Sequence, residues 1–301
     1  MSDITENKKV MVSKSLKFEI LDIIILIVLV FLTLLILVPF LNVLAISFAT
    51  QREALESRLL LFPRQPTIEN YYRLFQDGRI WVGYRTTLTI LLLGVPLNMF
   101  FTTSLAYGLS RLRFPGGKFI FFVILMTMLF NGGIVPLYLL MMQLRLINTI
   151  WSVILAYGVN TFYMIIMRTY FTTIPDSLLE SAKLDGAGEW RILFKIVLPL
   201  SMPILATIIL FYSVDRWNEW FNAMIFIRRN HIVPLQLVLR NIVIDSRIVD
   251  IVPMSGEVFE VRFADGMKMA TIIVAMLPIM CFFPFLQKYF VKGIMIGAIK
   301  A

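Results

Sequence analysis

Glu180-Ser181-Ala182-Lys183-Leu184-Asp185-Gly186 and, across nine intervening residues, Ile196-Val197-Leu198-Pro199 make a charged loop between two long apolar runs. Connections between membrane helices are usually short and carry little pattern. This one carries a helix, a breaking glycine and a closing proline, the makings of a docking element. Pro175 stops the preceding helix. Ser177-Leu178-Leu179-Glu180 has the spacing of a capping box, which gives Glu180 a purely structural reading as a cap beside a reading as a partner contact. Leu178, Ala182 and Gly186 recur every four residues and share a face that becomes small toward its end. Gly186 is suited to positive φ and to ending the helix. A second helix restarts over residues 188–198, with Trp190, Leu193 and Phe194 apolar.

Outside this loop the composition decides the class. The chain is 59% hydrophobic and 16% charged, too apolar for a soluble protein of 301 residues. Several windows reach the roughly 20 apolar residues that cross a bilayer as a helix. We read an all-α polytopic membrane protein with six spans, at about 21–48, 86–109, 119–142, 149–171, 196–221 and 269–290. Residues 1–20 form a polar N-terminal segment, 21–290 the membrane domain with the loop 175–199, and 291–301 a tail. The first apolar run is too long for a cleaved leader and reads as a retained helix.

The net charge of +9 needs no nucleic acid. Lys8, Lys9, Lys14 and Lys17, then Arg111, Arg113 and Lys118, then Lys183, Arg191 and Lys195, then Lys288, Lys292 and Lys300 all fall on one side of a six-span chain. That side is cytoplasmic, with both termini on it. One cysteine, Cys281, and one histidine, His231, exclude a disulfide framework and a His-based metal site or triad. Gly116-Gly117-Lys118 lacks the spacing and hydroxyl residue of a phosphate loop, so ATP chemistry requires another subunit.

Two polar interruptions are candidate parts of a translocation path. Asn131-Gly132-Gly133 with Pro136 weakens the backbone ladder of the third span, near Tyr138. It reads either as a packing kink or as a broken segment lining the path. Asp215-Arg216-Trp217-Asn218-Glu219-Trp220 closes the fifth span. Charges there face a cavity or one another, and Trp217, Asn218, Glu219 and Trp220 suit sugar stacking and hydroxyl bonding. An interfacial aromatic belt is the alternative. The 45-residue segment 223–267 is long enough to be functional, or else is decoration.

The loop resembles, with Ser181 in place of the usual alanine, the E-A-A…G…I-x-L-P loop of the membrane permease subunits of binding-protein-dependent ABC importers. The resemblance extends over nearly the full chain to carbohydrate-type permeases similar to the second permease of the maltose transporter, in the branch serving complex oligosaccharides. Its further marks are Val38-Pro39-Phe40 before Asn42-Val43-Leu44-Ala45-Ile46-Ser47-Phe48, Asn131-Gly132-Gly133-Ile134-Val135-Pro136, and Val291-Lys292-Gly293. It implies a type I importer permease fold in a bacterial inner membrane. It also implies no cofactor of the chain's own, and a coupling role for Glu180, Ser181, Ala182, Asp185 and Gly186. The implied partners are a sister permease, two ATPase subunits and an extracytoplasmic sugar-binding protein. Arg85, Arg145 and Arg216 near outer helix ends favour an acidic sugar if they are more than ordinary flanking charges. A secondary-active transporter is the competing class, but no inverted repeat supports it.

Overall fold

The computed structural model describes residues 20–57, 59–111, 116–251 and 265–281. The polar N-terminal segment and the tail from Val291 lie outside them. Among the described residues every regular element is helical. α1 (Ile20–Ser47) is apolar on all sides, and residues 21–37 are exposed all round. An all-apolar helix with no polar stripe belongs in lipid or against another apolar chain. Two short helices, α2 (Gln51–Glu56) and α3 (Glu69–Gln76), lead to α4 (Gly78–Ser110). α4 begins eight residues before the predicted second span, because the Asp77 carboxylate accepts the Arg79 amide and caps it.

The third, fourth and fifth predicted spans are each broken. α5 (Gly117–Leu129) and α6 (Ile134–Gln143) meet at 113°. α7 (Ile150–Ala156) and α8 (Thr161–Phe171) meet at 53°. α9 (Asp176–Leu184) leads to α10 (Glu189–Leu200), which meets α11 (Met202–Trp217) at 88°. The predicted fifth span, 196–221, therefore straddles a right-angled bend at Ser201. α12 (Phe221–Phe226), α13 (Leu235–Ile251) and α14 (residues 265–281) complete the described chain. With each bent pair taken as one span, the described helices supply five candidate crossings by length and composition, and α14 is the described part of the sixth predicted span.

The core has two main parts. One packs α4, α8 and α11 on the α9–α10 segment, through Phe171, Ile192, Val197, Ile208 and Tyr212. The other packs α13 and α14 on the start of α4, through Leu74, Ile80, Leu235, Val238 and Ala270. The described part of the segment 223–267 thus contributes to the core through Leu235, Val238 and Leu239. A side chain at Gly83 would lie 3.0 Å from the Leu235 Cα, so α13 approaches α4 where no larger residue fits. The Leu235 amide donates to Thr87 Oγ1 at 2.9 Å.

The break in the fourth span is closed by one buried side chain. Arg216 is 4% exposed. Its Nη1 donates to the Val153 carbonyl at 2.9 Å, and its Nη2 to the Ile154 and Tyr157 carbonyls at 3.1 and 2.9 Å. Its Nε donates to Asn98 Oδ1 at 3.1 Å, and Glu219 lies 3.7 Å away. Asn98 Nδ2 donates to the Gly158 carbonyl at 2.7 Å. The Tyr212 hydroxyl accepts the Asn160 amide at 2.9 Å, while Asn160 Oδ1 caps α8 through the Phe162 amide. Helix-end carbonyls, which water would satisfy elsewhere, are satisfied here by protein. Arg216 therefore serves the scaffold and is withdrawn from the three arginines expected to favour an acidic sugar.

Arg216→Ala strands these carbonyls and leaves Glu219 unpaired. A loss of about 3–5 kcal/mol is expected, the usual cost of breaking a buried ionic network. The readout is the melting midpoint and monodisperse yield in detergent. Arg216→Lys is expected to fall between, since one ammonium cannot fork across three carbonyls. A wild-type midpoint in Arg216→Ala would remove the capping role.

Candidate functional site

Pro175 is the residue before α9, and the helix opens directly at Asp176. The predicted capping box on Ser177 does not form, since the N-cap is Pro175 and no side chain caps it. The helix opens at Asp176, which puts Ser177 inside the first turn and not at the N-cap position a capping box requires. Asp176 in the first turn meets the positive end of the helix dipole instead. The other end follows the prediction. Gly186 has φ +78°. Its amide donates to the Lys183 carbonyl at 3.0 Å, and the Ala187 amide donates to the Ala182 carbonyl at 2.9 Å. That pair of bonds is a Schellman termination. A Cβ at Gly186 would meet nothing within 4 Å, so conformation and not space selects glycine there.

α9 has one buried anchor and one open face. Leu179 is 4% exposed and packs in the same cluster as Phe171, Ile192 and Leu193. Leu179, and not Leu178, is the inward residue. Ala182 is half-buried against that cluster, while Glu180, Ser181, Asp185 and Gly186 are exposed. Leu184 at the helix end is 89% exposed. An apolar residue left so open beside charged ones suits a protein partner.

The Ser110 end of α4 clamps this segment on both sides. Arg111 Nη1 donates to Asp176 Oδ1 at 3.0 Å, and its Nη2 to the Phe171 carbonyl at 3.2 Å. The Tyr107 hydroxyl donates to Glu189 Oε2, and Lys183 Nζ lies 2.6 Å from Glu189 Oε1. The Lys183 bond, followed by the Tyr107 bond, holds the Glu189 carboxyl below the usual carboxylate range. A depressed folded value means that the clamp is present above the ordinary glutamate range and is lost as pH falls through the folded value. It is therefore intact at neutral pH.

The other predicted residues do not form one cluster. Asn131 Oδ1 accepts the Gly133 amide at 2.9 Å and shapes the turn between α5 and α6. Gly133 has φ +86° there. Tyr138 stacks on Phe226 at 6.3 Å. Trp217 is buried, with its Nε1 donating to the Ala275 carbonyl at 3.2 Å and its ring edge-on to Tyr84. Glu219 accepts from the Asn222 amide and Nδ2 at 3.1 and 3.0 Å and caps α12. Trp220 packs under the Arg240 guanidinium, 5.2 Å from its ring centre. Asn218 is exposed, with its Nδ2 donating to the Val214 carbonyl. The sequence reading missed Tyr163, whose hydroxyl donates to the exposed Asp215 Oδ2 at 2.9 Å. Aspartate at a membrane-helix end was the available signal, and its tyrosine lies 52 residues away in sequence.

A bundle of broken apolar spans with an exposed polar helix at one end is the form of a membrane permease component. Residues 86–296 match the family described as binding-protein-dependent transport system inner membrane component, and the chain belongs to it. It is 38% identical over 267 residues to the polygalacturonan/rhamnogalacturonan transport system permease protein YtcP of Bacillus subtilis strain 168, covering 87% of this chain and 92% of that one. It is 27% identical over 267 residues to the arabinooligosaccharides transport system permease protein AraQ of Halalkalibacterium halodurans, covering 87% and 90%. In three dimensions it is similar to a chain of a bacterial ABC transporter involved in the import of the acidic polysaccharide alginate. That match has a TM-score of 0.82 and 30% identity, over 90% of this chain and 96% of that one.

Leu179→Ala is expected to weaken the seat of α9 by about 2–5 kcal/mol without touching its open face. Limited proteolysis of the purified protein, with cleavage mapped to residues 176–188, reads this out. Gly186→Ala costs about 1–2 kcal/mol through backbone strain alone and should add only modestly to cleavage. Equal cleavage of Leu179→Ala and wild type would mean that Leu179 does not hold the helix.

Proposed function

We infer that this chain forms half of the translocation path of an ATP-driven oligosaccharide importer and takes its driving motion through α9. The observation that carries this is the α9 segment: exposed Glu180, Ser181, Asp185 and Gly186 on a helix seated by Leu179 and clamped to α4. Family membership supports it. Glu180, Ser181, Ala182, Asp185 and Gly186 meet an ATPase subunit, which binds the ATP; this chain needs no cofactor of its own. The assembly contains a sister permease, two ATPase subunits and an extracytoplasmic sugar-binding protein. The basic flanks support a reading in which both termini and α9 lie in the cytoplasm of a bacterial cell. Residues 21–290 then act as one membrane domain, with 175–199 as its coupling loop. ATP binding draws the two ATPase subunits together, α9 follows its partner, and the clamp passes the movement to α4. A secondary-active carrier has no use for an exposed helix held this firmly.

For the substrate we favour an acidic oligosaccharide. The names of the polygalacturonan/rhamnogalacturonan relative and of the alginate importer support this class, and Arg85 and Arg145 remain exposed. The arabinooligosaccharide relative keeps a neutral sugar as the competing reading.

The coupling role is tested with the complex purified through this chain and reconstituted in vesicles. Glu180→Lys and Gly186→Pro are expected to insert normally and to abolish uptake, with ATPase association or stimulation lost. Normal coupling in both variants would end the α9 proposal. Uptake of oligogalacturonides against arabinooligosaccharides by the wild-type complex tests the substrate class. Preference for the neutral sugar would reject the acidic reading while leaving the coupling role standing.

A further inference from the structure

The turn of α11 that buries Arg216 also turns a carboxylate the opposite way. Asp215 and Asn218 are three residues apart on one face, and both are exposed. Asp215 Oδ2 accepts from the Tyr163 hydroxyl at 2.9 Å. Tyr163 stands in the first turn of α8, beside the break, with the Phe162 ring 6.2 Å away and 51% exposed. Thr161, at the start of the same helix, lies 3.3 Å from exposed Thr127 of α5, hydroxyl to hydroxyl. Three broken spans thus bring polar groups and an open aromatic ring to one level. That level is the middle of α4, where Asn98 and Thr102 meet the same break through Gly158 and Tyr212.

Such a face does not belong in hydrocarbon. An aspartate at mid-membrane costs about 2.5–3.5 kcal/mol even on insertion-based scales. Groups of this kind at that depth face protein or a water-filled cavity. Among the described residues Asp215 has no ion pair, since the guanidinium of Arg216 is taken up by carbonyls, Asn98 and Glu219. One of its oxygens has a phenol donor, and the residue is exposed. An exposed acceptor, a nearby amide at Asn218 and an aromatic face at Phe162 match a sugar ring, with its hydroxyl edge and apolar C–H face.

We propose that Asp215, with Tyr163, Asn218 and Phe162, is a sugar-hydroxyl subsite on this subunit, lining the translocation path at the break in the fourth span. This rests on the importer reading above and deepens it: the chain itself touches the sugar, through hydroxyl groups and not through the sugar's carboxylates. The Tyr163 bond aims the carboxylate, and the break in α7–α8 gives the room. The predicted path residues Trp217, Glu219 and Trp220 are engaged elsewhere, with Ala275, Asn222 and Arg240.

Two measurements test it in the reconstituted wild-type assembly and its variants. The first is Asn218→Cys in a Cys281→Ser background, treated with a membrane-impermeant charged thiosulfonate. Labelling is expected in the assembled complex, and it should fall at least several-fold when sugar-loaded binding protein and ATP with vanadate are added. The second is Asp215→Asn, with oligogalacturonides and arabinooligosaccharides each used as the transported probe. Uptake of whichever probe the wild type carries should fall about tenfold or more, while the purified complex keeps its subunits and its basal ATP hydrolysis. Absence of labelling would place this face against another subunit or lipid and overturn the proposal. So would wild-type uptake in Asp215→Asn, or loss of the assembled complex in that variant. Failure of the importer reading looks different: no uptake of either probe by the wild type.

Discussion

The structure depends on one guanidinium placed where a membrane helix stops. A bilayer supplies no water to unpaired carbonyls, so a helix can break at that depth only if protein groups replace the lost ladder. The break at residues 157–160 exposes the last carbonyls of α7. Arg216 answers Val153, Ile154 and Tyr157 from a single planar fork. Lysine has the charge but not the geometry. Asn98 of α4 takes the Gly158 carbonyl, and Tyr212, one turn before Arg216 on α11, takes the Asn160 amide. The result ties α4, α7, α8 and α11 at one point. The 53° turn of α8 away from α7 is the geometric consequence, and the open polar face beside it exists because the chain can turn there.

α4 connects this point with α9. Its Ser110 end holds Asp176, the Phe171 carbonyl and Glu189 through Arg111 and Tyr107. Its middle holds the break through Asn98. α8 closes the loop from the other side, since it runs from the break to Phe171, directly before α9. Displacing α9 therefore loads two helices that meet again at Arg216. Packed cores respond to such loads by shifting as bodies and not by bending continuously. The break is where the two loaded helices can change their relative angle.

How much of this could be read beforehand follows from the length over which each signal acts. α1 and α4 are long unbroken apolar runs and were legible as spans. Gly186 was legible because its role is local: a left-handed turn needs glycine whatever surrounds it. The breaks in the fourth and fifth spans were not, because hydropathy averaged across them stays high on both sides. Gly158 and Asn160 gave a weak hint of the first, and Ser201 before Met202-Pro203 of the second. Arg216 was seen as an expensive charge, but its partners lie about 60 and 118 residues away in sequence, so its role could not be deduced. The Ser177 capping box failed for a different reason, since the helix starts at Asp176 and carries Ser177 inside its first turn.

The stretch 215–220 shows why a polar cluster at a helix end resists assignment from composition alone. Successive residues on a helix are turned by about 100°, so a run of six visits every direction. Arg216 and Trp217 fall on the buried side and become scaffold; Asp215 and Asn218 fall on the open side. Glu219 and Trp220 lie past the last helical turn and serve the short helix that follows. One turn of α11 is thus shared between holding the break closed and presenting an exposed carboxylate. That sharing constrains both roles. A charge on the inner side could not be moved by one position without exchanging places with the outer one, because a shift of one residue carries a guanidinium out of the carbonyl nest and a carboxylate into it. The spacing of Asp215, Arg216 and Asn218 is therefore fixed by the break itself.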